Sequence, residues 1–299
     1  PGKTEMGQPI FIAGPTASGK SAVALELAQR QDGEIISVDS MQVYRGLNLG
    51  TAKPTEAERA AVPHHLIDTL ELSETFAAAK FAAEAGQLEG KIERPIFCGG
   101  TGLYFQAWLE GLGEAPEGKP GLRAELEELP TEALVAELRE KDPETHAAID
   151  PHNRRRLIRA VEVIRLTGKP FSQQRAEWTG QAPENFFLLE REREDLHTRI
   201  DERVGAMFAA GLVAETCSLR SALEVNAVAA QALGYRQVIE HLQGERDLPN
   251  TVALVKSRTW KFARRQMTWF RKMKGTISLA VASDEQPEAT ARRIIEQLK

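Results

Sequence analysis

Eight consecutive residues, Gly14-Pro15-Thr16-Ala17-Ser18-Gly19-Lys20-Ser21, fit the spacing G-x-x-x-x-G-K-[ST]. The chemistry follows from the residue types. Glycines let several backbone N–H groups converge on one anion, and the start of a helix adds positive potential. Lys20 supplies a point charge, and the Ser21 hydroxyl is suited to holding Mg2+. Such a loop cradles a diphosphate or triphosphate. The spacing alone does not say which phosphate compound is held or what is done to it.

A second candidate group follows at Asp39. The run Glu34-Ile-Ile-Ser-Val reads as a strand, which puts Asp39 at the carboxyl edge of a sheet beside the phosphate loop. An acid there can act as magnesium ligand, general base or helix N-cap, and position alone leaves all three open. A small-metabolite kinase is the default reading of a phosphate loop. Such enzymes hold Mg2+ with an acid at the end of another strand, and no apolar strand late in this chain ends in Asp. His64 and His65 are adjacent, and neighbours on one strand point to opposite faces, so shared metal ligation is not expected. Cys98 and Cys217 are isolated, so neither a zinc site nor a disulfide is expected.

The elements that must position these groups alternate. Pro9-Ile-Phe-Ile-Ala precedes the phosphate loop as a short buried strand, and Ala22 to Arg30 follows it as a helix. Helix-like Thr75 to Gly90 leads to a third strand, Pro95-Ile-Phe-Cys, and then to Gly99-Gly-Thr-Gly. Alternation of this kind predicts an α/β fold with a parallel sheet. The texture changes near Gly111: a Gly- and Pro-rich stretch gives way to charged helical patterns, with Leu157, Ile158, Val161 and Ile164 on one face. The expected organisation is a P-loop parallel-sheet core over residues 8–112, an all-helical insertion over 113–184, and a second, mostly helical part of the core over 185–299. Phe186-Phe-Leu-Leu-Glu is its return strand.

No apolar run approaches the ~20 residues that a membrane helix needs. Pro1 to Pro9 is polar, reads as a short disordered leader and lacks the apolar stretch of a signal peptide, so a cytoplasmic enzyme is expected. The net charge of −5 argues against a polyanionic partner, but local patches set the field such a partner meets. Between Lys256 and Lys274 there are eight Lys or Arg and no acid, and from Asn153 to Arg175 seven basic residues and one acid, Glu162.

Several further segments carry a resemblance when taken in order with the phosphate loop. They are Asp39-Ser-Met-Gln-Val-Tyr-Arg, Gly50-Thr-Ala-Lys-Pro, Pro63-His-His-Leu-Ile-Asp68, Gly99-Gly-Thr-Gly-Leu-Tyr104, Gly234-Tyr-Arg-Gln237 and Arg264-Arg-Gln-Met-Thr-Trp-Phe-Arg271. From about Pro9 to Arg271 the chain resembles the tRNA dimethylallyltransferases. The resemblance implies transfer of a dimethylallyl group from dimethylallyl diphosphate to N6 of the adenine 3′-adjacent to the tRNA anticodon, assisted by Mg2+. The helical insertion would grip the anticodon stem, and the loop Gly14 to Ser21, often described as ATP-binding by its motif, would hold the diphosphate leaving group.

The resemblance also implies roles. Asp39 would be the general base that takes the N6 proton, Lys20 would neutralise the leaving group, and Thr101 would orient the amine or a phosphate oxygen. Ser40, Met41 and Gln42 would contact the target nucleotide, with the Gln42 amide suited to an adenine edge. Gln173, Gln174, Arg175, Ala176 and Glu177 match a segment that touches tRNA, and spacing adds Arg123. Arg236 is a candidate clamp on the diphosphate, from its charge and motif position. Trp269 and Phe270 are expected in the core rather than stacked on a base. One channel per chain needs no second subunit, so a monomer is expected. Transfer to free adenosine monophosphate and a non-catalytic RNA-binding module are the other readings, and the long insertion favours a polymeric acceptor.

Overall fold

The computed structural model describes residues 7–226 and 228–298; the polar leader falls outside them up to residue 6. It divides into two compact units, one formed up to Leu109 and again from Gly180 onward, the other by Glu110–Thr179. In chain order the first part of the larger unit holds β1 (Ile10–Ala13), α1 (Lys20–Gln31), β2 (Glu34–Val38), α2 (Glu56–Ala61), β3 (His64–His65), α3 (Ala78–Glu89), β4 (Pro95–Gly99) and α4 (Gly102–Glu110). The smaller unit holds α5 (Pro120–Glu128), α6 (Thr131–Lys141), α7 (Pro143–Ala148) and α8 (Arg154–Thr167). The chain then returns through β5 (Phe186–Glu190), α9 (Arg193–Ala209), α10 (Leu212–Val225), α11 (Tyr235–Leu242), α12 (Leu248–Phe270), β6 (Ile277–Ala280) and α13 (Pro287–Ile295).

All six strands are parallel, in the order β3-β2-β4-β1-β5-β6. β1 and β4 are buried at every position, as continuous apolar runs covered on both faces should be. On one face Ile10, Ile12, Ile96 and Leu189 pack with Leu27 of α1 and Ile294 of α13. On the other the alternate residues make an aromatic layer. The Phe11 ring stacks on Phe97 and Phe186 at 5.2 and 5.6 Å, Trp108 tilts against Phe97 at 4.5 Å, and Phe105 meets Phe270 of α12 edge-on at 6.0 Å. Strands before β5 lie on one side of β1 and later ones on the other, so the strand order reverses at β1. The crevice at the carboxyl ends of the strands opens there.

The smaller unit is wholly helical among its described elements, with Leu126, Leu134, Leu138, Leu157, Val161 and Ile164 as its core. Asp142 caps α7: burial opposes its ionisation, but hydrogen bonds from Thr145 and Ser172 hold its carboxyl below the usual range. The unit begins at residue 110 and ends at 179 rather than at 113 and 184. The Thr179 N–H donates to Glu110 at 2.6 Å and closes the neck, while Ala182 and Gly180 already exchange backbone bonds with Lys274 in the larger unit. The later part of that unit also carries a strand absent from the sequence expectation, β6. It has only four residues, and β5 supplies its register (Leu188↔Ser278).

Candidate functional site

β1 runs straight into the phosphate loop, and the loop into α1, whose N-cap Gly19 adopts φ +94°. A side chain is rarely tolerated at that φ. Ala17 adopts φ +65° without being glycine, so its surroundings must hold it there. They do so through guanidiniums of the distant second half: Arg199 Nε donates to the Ala17 carbonyl at 3.0 Å and Arg191 Nε to that of Ser18 at 2.8 Å. Arg191 is itself fixed by Asp195 at 2.8 Å and the Ala282 carbonyl at 2.9 Å. Within the loop the Ser18 N–H is spent on Pro15 and that of Thr16 on the Gln266 side chain. Among the described residues the amides of Ala17, Gly19, Lys20 and Ser21 have no backbone acceptor, and they remain for an anion. The Ser18 hydroxyl is buried without a partner among the described residues.

A cleft of about 380 Å³ opens beside these amides, lined by Gly19, Lys20, Ser21, Arg199, Glu202 and Arg203 among others. That volume lies in the range of small-ligand sites, roughly 300–1,000 Å³. Three cations face one carboxylate in it. Burial lowers the Lys20 pKa, as does the Arg203 charge, while Cys98 and Asp39 act in the opposite sense. Burial also lowers that of Arg203, with Asp39 opposing. Two desolvated cations side by side are costly, and an anion between them removes that cost. Among the described residues Lys20 Nζ bonds only the Pro15 carbonyl, at 3.2 Å.

Asp39 leaves β2 at the same edge. Its Oδ1 accepts the N–H groups of Met41 and Gln42 at 2.8 and 3.2 Å, so the carboxylate caps a turn rather than a helix. Among the described residues no hydrogen bond engages Oδ2. The neighbouring strand β4 delivers Gly100 and Thr101, and the Thr101 N–H reaches back to the Val38 carbonyl at 3.3 Å. Its hydroxyl, like Asp39 Oδ2, has no partner among the described residues. One edge thus gathers a free carboxylate oxygen, a free hydroxyl and a cationic anion cradle. A nucleophile deprotonated at Asp39 would face a leaving group held at the loop.

A family model described as IPP transferase matches residues 42–273. Among curated relatives, tRNA dimethylallyltransferase 1 of Trichlorobacter lovleyi is 49% identical over 275 residues, covering 88% of this chain and 90% of its own. The tRNA dimethylallyltransferase of Anaeromyxobacter sp. is 44% identical over 96% of this chain and 97% of its own. The chain belongs to the tRNA dimethylallyltransferase family. Solved structures agree. The tRNA isopentenylpyrophosphate transferase of Bacillus halodurans superposes with a TM-score of 0.70 at 36% identity, covering 97% of this chain and 96% of that one. A eukaryotic dimethylallyltransferase acting on tRNA gives 0.76 at 26% identity, covering 96% and 78%.

Not every residue singled out from the family pattern takes the position expected of it. Ser40 and Met41 sit half-buried beside Asp39. The Gln42 amide, however, is committed inside the protein: it accepts from the Ser37 hydroxyl at 2.8 Å and donates to the carbonyls of Thr51 and Ala52 at 3.1 and 3.3 Å. It ties β2 to the Gly50-Thr-Ala-Lys segment instead of presenting an adenine-reading edge. Lys53 finishes that tie, reaching Asp68 at 2.5 Å. Arg236 is not among the cleft-lining residues; it pairs with Glu240 at 3.0 Å and Gln231 at 2.6 Å on the surface of α11. In the smaller unit Gln174 is buried, its amide bonding Thr167, Lys169 and Pro170. Arg123 pairs with Glu162, which is fully buried. Gln173, Arg175 and Glu177 are exposed and Ala176 half-buried. Arg191, Arg199, Arg203 and Gln266 escaped the sequence reading as site residues; only Gln266 lay in a recognised motif, while Arg199 and Arg203 are arginines on an ordinary charged helix and Arg191 lies just before it.

Proposed function

We propose that this chain transfers the dimethylallyl group of dimethylallyl diphosphate to N6 of the adenine 3′-adjacent to the anticodon of a tRNA and releases diphosphate. The observation that carries this reading is the unengaged Asp39 oxygen beside Thr101 at the edge that also carries the cationic cradle. The allylic C1–O bond breaks, the N6–C1 bond forms, the N6 proton passes to Asp39, and the bond pair of C1–O leaves with diphosphate. Loop amides, Lys20 and Arg203 stabilise that growing charge. The adenine must leave its stack to reach the carboxylate, at a cost of a few kcal/mol repaid by pocket contacts. Exposed cations of α12 and its C-cap, among them Arg264, Arg265 and Arg271, suit a polyanionic acceptor.

A divalent metal fits the donor set: Ser21 offers a hydroxyl in the cleft wall, and phosphate oxygens with water would complete the all-oxygen shell that Mg2+ prefers. Bound there, Mg2+ would add Lewis-acid stabilisation of the leaving group. A small-metabolite kinase is not favoured, because the family match extends across the helical unit that a kinase leaves without a purpose.

Incubation with Mg2+, dimethylallyl diphosphate and unmodified tRNA, followed by mass spectrometry of digested nucleosides, tests the proposal. N6-dimethylallyl-adenosine at that position is the expected product. Its absence, together with phosphorylation of a metabolite from ATP, would overturn the reading.

A further inference from the structure

One buried side chain touches both halves of the reaction site without lining the cleft. Gln266 lies on α12, 7% exposed. Its Oε1 accepts the N–H of Thr16 in the phosphate loop at 2.8 Å, and its Nε2 donates to the carbonyl of Gly100 at 2.9 Å. One planar amide therefore spans the loop leaving β1 and the loop leaving β4. Gly100 is followed directly by Thr101, whose N–H binds the carbonyl preceding Asp39.

Close packing singles out the same contact. A Cβ on Gly100 would fall 2.2 Å from Gln266 Nε2 and 3.2 Å from the Gly14 carbonyl, so the second glycine of Gly99-Gly-Thr-Gly makes room for this amide. Beside it, a Cβ on Gly102 would fall 2.2 Å from the Trp269 ring, three residues along α12 from Gln266. Phe270, one turn after Gln266 and fully buried against Phe105 and Phe186, fixes the rotation and height of the helix. The helix thus holds the amide in place, and the amide ties the two loops at a set distance.

We propose that Gln266 is a positioning residue: it sets the spacing between the loop that holds the diphosphate and the Thr101–Asp39 edge that activates the acceptor. It touches neither substrate. It spends the Thr16 N–H on the protein, so that amide is no part of the anion cradle. The inference rests on the proposed prenyl transfer. A misplacement of about 1 Å between reacting groups can cost roughly 100-fold in rate, whereas anion binding depends on loop groups that Gln266 does not contact.

Two variants separate this role from packing. Gln266→Met keeps the volume and removes both hydrogen bonds. Gln266→Glu keeps the acceptor for Thr16 but, when ionised, sets a carboxylate against the Gly100 carbonyl; protonated, it restores the donor. With Met, single-turnover prenylation is expected to fall about 10- to 100-fold, while inhibition by inorganic diphosphate shifts less than about threefold. With Glu, the ratio of variant to wild-type rate is expected to rise as pH is lowered, because acidification restores the donor. Wild-type rates in the Met variant, equal losses of rate and diphosphate binding, or a flat ratio for Glu would each overturn the proposal. Amide exchange over residues 14–21 and 100–105 gives a readout independent of activity. Faster exchange in the Met variant is expected even if the wild type proves inactive on tRNA, an outcome that would sink the functional reading alone; unchanged exchange would overturn the tie itself.

Discussion

Replacing Asp39 by Asn separates two jobs done by one carboxylate. Oδ1 accepts the N–H groups of Met41 and Gln42, and an Asn amide oxygen can do the same. Oδ2, the oxygen proposed to take the N6 proton, becomes an NH2 that cannot accept it. Loss of a general base costs about 100- to 10,000-fold in the chemical step. Asp39→Asn should therefore lose that much single-turnover rate yet unfold within about 1 kcal/mol of wild type, since only the charge contribution to the two turn bonds is lost. Asp39→Ala loses the rate and the turn acceptor together. Hydrogen bonds to a charged group contribute about 1.5–3 kcal/mol each when buried. The residue is half-buried and water replaces part of that, so about 1–3 kcal/mol in total is expected. The assay pairs single-turnover kinetics on unmodified tRNA with denaturant unfolding of the three proteins. An Asn variant within about threefold of the wild-type rate would place the base elsewhere. An Asn variant as unstable as Ala would refute the division of the two oxygens.

Three further outcomes follow from the geometry. Arg203→Met removes a half-buried cation from the cleft and should weaken inhibition by inorganic diphosphate about 10- to 100-fold, whereas Arg236→Ala should leave it within about twofold, because Arg236 is engaged on α11. Glu162→Ala strips the shared partner from Arg123 and Arg159 in the smaller unit, at a cost of about 3 kcal/mol, read as earlier proteolysis of residues 110–179 in a temperature series. Burial pushes the Cys98 thiol up to about 11 against the pull of Lys20, while Cys217 is exposed. At pH 8 iodoacetamide should therefore label Cys217 at least about tenfold faster by peptide mass spectrometry; equal labelling would contradict the burial of Cys98 behind the loop.

The parts of the site legible in sequence are those encoded within a few residues. The phosphate loop is local because a glycine at φ +94° and the first amides of α1 are set by one turn of chain. Asp39 is local because a strand of five residues ends just before it. What holds these pieces is not local. The Thr16 amide meets an acceptor 250 residues later, and the carbonyls of Ala17 and Ser18 meet donors 182 and 173 residues later. No periodicity marks an arginine on α9 as a loop clamp, since its neighbours are charged as well. The same limit explains Gln42 and Gln174. A glutamine in a recognised segment can turn its amide to a ligand or to the protein, and the acceptors that decide, Thr51 and Ala52 in one case and Lys169 and Pro170 in the other, follow from how the loop closes.

That division also says where loss of function should arise. Changes in the loop or at Asp39 remove a chemical group. Changes in α12, and in α9 with the Arg191 that precedes it, leave every such group present and alter the distances between them, which one 2.8 Å contact at Thr16 and another at Ser18 now fix. Because the rate of a displacement falls steeply with misalignment while anion affinity does not, substitutions on those helices should show up in turnover before they show up in binding, except at Arg199 and Arg203, which line the cleft and belong to both classes.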